Sequence, residues 1–144
     1  MYQQGDSCYY YLLLLLLFSL LLSLYRTFAA LKTVSSQLQV LHLSQVKQIS
    51  INTMNEMIKS SIQLRILNLS WTCSVSNQLL QIIETHLNNL VTLLLISQHD
   101  ITETAVRSLC DKSFSLKEIH LEYCRQITIE FVNELNERGI KASF

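Results

Sequence analysis

The chain has 144 residues, enough for one domain with a true core and a tight squeeze for a second independent one. Eleven basic residues balance eleven acidic ones, which excludes the strongly basic surface of a typical nucleic-acid binder. With 49% hydrophobic residues, 15% charged, two glycines and no proline, the chain is neither disordered nor able to build a glycine-rich phosphate loop.

The first feature along the chain is a leucine run. Ten of the 28 leucines fall between Leu12 and Leu24. Around them, Tyr9 to Tyr25 is an uncharged stretch of 17 residues, at the lower limit for crossing a bilayer, where about 20 are usual. Tyr9, Tyr10, Tyr11 and Tyr25 flank the run, and Arg26 and Lys32 follow it. A membrane anchor here would leave the rest of the chain in the cytoplasm. A cleaved secretory signal fits worse, because the first eight residues carry Asp6 and no basic residue. Residues 1–27 are therefore set apart as a hydrophobic N-terminal segment, and residues 28–144 as the domain.

Beyond it the chain repeats with a period of 26 residues and no insertion. The copies open at Leu38, Leu64, Leu90 and Leu116. Three residues on come Leu41, Leu67, Leu93 and Ile119, and two after that Leu43, Leu69, Leu95 and Leu121. Alternation with period two puts such a pair on one face of a short strand. Ile49, Val75, Ile101 and Ile127 recur next, each followed by Ser50, Ser76, Thr102 or Thr128. A hydroxyl there predicts a helix N-cap. The pairs Met54 with Met57, Leu80 with Ile83, Val106 with Leu109, and Val132 with Leu135 then supply the buried stripe of an amphipathic helix. One strand and one helix per copy cannot bury their apolar faces alone, whereas stacked copies can. The spacing predicts an α/β solenoid, parallel strands on the concave face and helices on the convex face. Gly139 is placed to end the last helix, leaving residues 140–144 for a short closing strand.

The fourth copy, with Leu116, Ile119, Leu121, Cys124, Ile127 and Thr128, resembles the cysteine-containing leucine-rich repeat of F-box/leucine-rich-repeat proteins. Val46, Thr72 and Gln98 hold the cysteine column in the other copies, and no F-box pattern precedes Leu38. The resemblance implies recognition of a substrate protein for SCF-type ubiquitination, in contact with the Skp1–cullin machinery. The same frame gives the leucine run a second reading. Phe28 and Leu31 fall on the two helix columns, as in a damaged earlier repeat.

Chemistry is sparse. Cys8, Cys73, Cys110 and Cys124 show no CxxC spacing and read as reduced thiols of a reducing compartment. His42 and His120 share a column but lie three repeats apart, roughly 14 Å, too far to hold one metal ion. His86 and His99, like them, read as surface residues. Glu118 and Glu122 share a strand face, about 13 Å apart, beyond the reach of a paired acid and base. The expectation is no catalytic residue, no metal, no cofactor and no nucleic-acid partner.

What remains is binding. Strand residues alternating with the buried leucines face outward. They include Ile66, Asn68, Leu94, Ile96, Glu118 and His120, with Trp71 and Tyr123 along one rim. Ile66, Leu94 and Ile96 are expected to form an apolar patch, the usual mark of an interaction site, with the aromatics as anchors. The competing reading has Trp71 folded over the loop carrying Cys73, and a chain terminus covering the patch. The leading function is thus a protein–protein interaction module taking its partner on the concave face. The alternatives are a membrane-anchored cytoplasmic adaptor unrelated to ubiquitination, with the membrane engaged through residues 9–25, and a truncated repeat fragment without independent function.

Overall fold

A computed structural model of the chain describes residues 36–46, 49–72 and 75–144. Strands and helices alternate: β1 (Val40–His42), α1 (Ile51–Ser60), β2 (Ile66–Asn68), α2 (Asn77–His86), β3 (Thr92–Leu94), α3 (Glu103–Lys112), β4 (Glu118–His120), α4 (Ile129–Glu137) and β5 (Lys141–Ser143). The five strands form one parallel sheet in sequence order. Val40 pairs with Ile66, Ile66 with Thr92 and Thr92 with Glu118, each 26 residues on, whereas Glu118 pairs with Lys141 after 23.

The leucine columns make the core. Leu64, Leu67, Leu69, Leu90, Leu93, Leu95, Ile119 and Leu121 are all fully buried. Each such side chain contributes about 1.5–3 kcal/mol of transfer free energy. Met54, Leu80, Val106 and Val132 meet them from the helices, and Leu38 and Met57 pack against the same core while partly exposed.

Each of the four described helices starts at the predicted hydroxyl. The Ser50, Ser76, Thr102 and Thr128 oxygens accept from the amides of Thr53, Leu79, Ala105 and Phe131. A second layer of capping joins neighbouring repeats. Asn77 Oδ1 accepts from the Thr102 amide at 2.9 Å, and Glu103 Oε1 accepts from the Thr128 amide at 2.8 Å and its hydroxyl at 2.6 Å.

The last helix ends in a Schellman motif. The Gly139 amide donates to the Asn136 carbonyl, the Ile140 amide donates to the Leu135 carbonyl, and Gly139 takes φ +85°. This reverses the chain into β5. The Lys141 amide donates to Lys117 and the Ser143 carbonyl accepts from Leu121, so Ala142 points its backbone away from β4. The Asn136 side chain fills that side. Its Oδ1 accepts from the Ala142 amide at 2.9 Å, and its amide donates to the Ala142 carbonyl at 3.1 Å.

Among the described residues no helix is long and apolar enough to cross a membrane. The leucine run, both readings of it, and Cys8 and Cys73 lie outside the described residues.

Candidate protein-binding face

The sheet face away from the helices carries the outward columns. Val40, Ile66, Thr92 and Glu118 stand side by side through the register, as do His42, Asn68, Leu94 and His120. Ile66, Asn68, Leu94, Ile96, Glu118 and His120 are half-buried rather than open. Side chains on adjacent strands stand about 4.8 Å apart, so each covers part of its neighbour. The expected apolar patch of Ile66, Leu94 and Ile96 is therefore a shallow apolar floor.

Ser70 departs from the outward pattern. It is buried, its Oγ accepts from the Ile96 amide at 3.3 Å, and its own amide donates to Asn68 Oδ1 at 2.9 Å. The hydroxyl thus satisfies a backbone amide just beyond β3.

The rim is defined by backbone. Gln45, Trp71, Ser97 and Tyr123 all take left-handed φ, between 60° and 64°. This conformation costs a non-glycine residue about 1–2 kcal/mol. The ladder beyond the strands holds it in place: the Gln45, Trp71 and Ser97 amides donate to the Ser70, Ile96 and Glu122 carbonyls at 2.7–3.0 Å. The following column, Thr72, Gln98 and Cys124, is buried against carbonyls. Thr72 and Gln98 both donate to the Leu69 carbonyl, and the Cys124 thiol donates to that of Leu95. In these three copies the side chain donates to a buried carbonyl, which amide, hydroxyl and thiol can all do.

At the rim Trp71 reaches over Ser97 to Tyr123. The ring centroids lie 6.1 Å apart with planes tilted 44°, and the residues are 48% and 73% exposed. Trp71 is thus engaged with Tyr123, two strands away, and Ser97 is small enough to let them meet.

On β4, His120 sits between two carboxylates. Its Nε2 is 3.4 Å from Glu118 Oε1, its Nδ1 is 3.4 Å from Glu122 Oε1, and the Ser143 hydroxyl lies 2.8 Å from Nδ1. His42 and His99 are exposed as expected, but His120 is a half-buried link between β4 and β5. Lys141 pairs with Glu118 and holds its carboxyl below the usual range. Burial pushes the Glu122 carboxyl up, but nearby donors, the Ser143 hydroxyl foremost, outweigh it and leave the group below the usual range. No cluster of metal-ligating side chains occurs among the described residues. Cys110 and Cys124 are free and buried, and burial pushes the Cys110 thiol up to about 11.

No protein-family model matches the chain, and no curated protein matches it. Solved structures do. The chain is similar over 81% of its length to the actin-binding site 2 (ABS2) structure of leiomodin-1, with a TM-score of 0.62, 13% identity and 76% of that chain covered. It is similar over 81% to the tropomodulin C-terminal domain from Caenorhabditis elegans, with a TM-score of 0.60, 16% identity and 80% of that chain covered. The fold is leucine-rich-repeat-like. At these identities the likeness is one of fold, and it gives no evidence for the F-box branch or for its cysteine-containing repeat.

Proposed function

We propose that this chain is a protein-interaction module of stacked 26-residue leucine-rich units that docks its partner on the strand face. The observation that carries the reading is the Trp71–Tyr123 pair, two large aromatics left exposed and in contact beside the half-buried Leu94 and Ile96. Interface energy concentrates in such anchors. The reading assigns no catalytic role and sets the domain in the cytoplasm, where thiols stay reduced. The ubiquitin-ligase context rests on the repeat resemblance alone and gains no support from the solved structures.

Actin is the first defined partner to assay, because the leiomodin-1 structure is described as an actin-binding site on a similar fold. The experiment compares the full chain with Trp71→Ala/Tyr123→Ala in co-sedimentation with filamentous actin and in tagged co-purification from cells. The expected outcome is a partner held by the wild type and released by a double variant that still unfolds cooperatively. A partner held equally by both overturns the assignment of the strand face.

A further inference from the structure

We infer that the strand-face partner presents a basic side chain to Glu122 and lays the adjoining apolar residue on the Trp71–Tyr123 platform. The inference deepens the docking reading and rests on it.

The groups converge through the backbone. The Trp71 amide donates to the Ile96 carbonyl at 2.9 Å, and the Ser97 amide donates to the Glu122 carbonyl at 2.7 Å. Trp71, Ile96, Ser97, Glu122 and Tyr123 therefore share one corner, where β2, β3 and β4 run out. The left-handed backbone recurs at Gln45 and Ser97, so it belongs to the fold. What is particular to this corner is the choice of side chains. The rings lie 6.1 Å apart, closer than the roughly 7 Å that two stacking contacts around an inserted group would need. A ligand group lies on the platform rather than between its rings.

Charge selects the ligand. Glu118 has Lys141, Glu84 has Lys112, and Glu134 has Arg107 and Arg138. Among the described residues Glu122 has no lysine or arginine within ion-pair distance, and His120 is its one basic neighbour. Its side chain is 27% exposed. Against burial, donors from Ser143 and His120 hold the carboxyl below the usual range, so it is ionised at neutral pH with no lysine or arginine against it. The electron-rich ring faces add to the same preference, since a guanidinium or ammonium is attracted to both. Acidic segments and nucleic-acid phosphates are repelled.

Trp71 is the chain's one tryptophan, so its fluorescence reports on the platform directly. The full chain is titrated with acetyl-Leu-Arg-Leu-amide, acetyl-Leu-Gln-Leu-amide and acetyl-Leu-Glu-Leu-amide. The expected result is a saturable change, with the arginine peptide binding about tenfold more tightly than the glutamine peptide and the glutamate peptide weakest. Glu122→Gln should bring the arginine peptide to the level of the glutamine one. In the unaltered chain, raising sodium chloride should weaken the arginine peptide selectively, a measurement that needs no variant. Equal binding of the arginine and glutamine peptides, no response to any of the three, or a preference that survives Glu122→Gln overturns the inference. A partner released by Trp71→Ala/Tyr123→Ala but fully retained by Glu122→Gln also overturns it, and leaves the docking reading standing. Retention by both variants overturns both.

Discussion

Leu69 and Trp71 are two residues apart and do opposite work. Leu69 is fully buried, and its carbonyl accepts from both Thr72 and Gln98. Leu69→Ala should cost about 2–5 kcal/mol in urea unfolding, as a core cavity does. Trp71→Ala loses one half-exposed aromatic contact and should cost no more than about 1.5 kcal/mol. A larger loss at Trp71 would mean that the ring braces the rim rather than serving a partner. Cys110 offers a second test. A thiol with its pKa near 11 is almost wholly protonated at pH 8, and only the thiolate is a nucleophile. Iodoacetamide at pH 8 should therefore spare Cys110 in the native chain and label it after urea, as read by site-resolved mass spectrometry. Rapid native labelling would show that α3 opens easily.

At the scale of elements, the end of the sheet is finished by one side chain. Asn136 answers both the amide and the carbonyl of Ala142, on the edge where another strand would otherwise pair. Asn136→Ala should cost about 1–3 kcal/mol and speed exchange at the Ala142 amide. It should also produce concentration-dependent association in sedimentation, because the edge is then open. Unchanged exchange at Ala142 would refute the clamp. Gly139→Ala meets no steric obstacle, since an added Cβ would find nothing within 4 Å, but φ +85° alone should cost about 1–2 kcal/mol. The strands, helix starts and core columns were legible in the sequence because each follows a fixed period and rests on local chemistry. Asn136 was not, because an asparagine on an exposed helix turn has no periodic signature and acquires its role only when β5 returns beside it. Asn77 and Glu103 were hidden for the same reason, since each caps the helix of the next repeat.

Across the whole molecule, ion pairs stitch the helix side together. Lys112 and Ser108 hold Glu84, and Arg107 spans from α3 to Glu134 and lies over the Phe131 ring. Arg138 reaches Asp111 and Glu134. Hydrogen bonds from Lys112, Arg107 and Lys141 lead in holding the Glu84, Glu134 and Glu118 carboxyls below the ordinary 4.5. A carboxyl depressed in the folded state contributes stability that is fully present above its unfolded pKa and is lost as pH falls through the folded one. The melting temperature should hold from neutral pH down to about 5 and then decline steadily below about 4.5. A flat profile to pH 3 would show that these pairs add nothing. The candidate face was legible only in part. Alternation located the outward columns, but how far stacked neighbours would cover them could not be read from spacing. Neither could the meeting of Trp71 and Tyr123 across Ser97, which depends on backbone handedness.

That handedness has a consequence for synthesis. Ser97 takes φ +62°, a region that L-residues enter at a cost and that is the favoured mirror image for D-residues. A chain assembled by chemical ligation with D-serine at position 97 should keep the same backbone and the ladder bond to Glu122 while shedding the strain. It should melt higher than the all-L chain, which makes the end of β3 a place where the fold prefers the chirality that the ribosome does not supply.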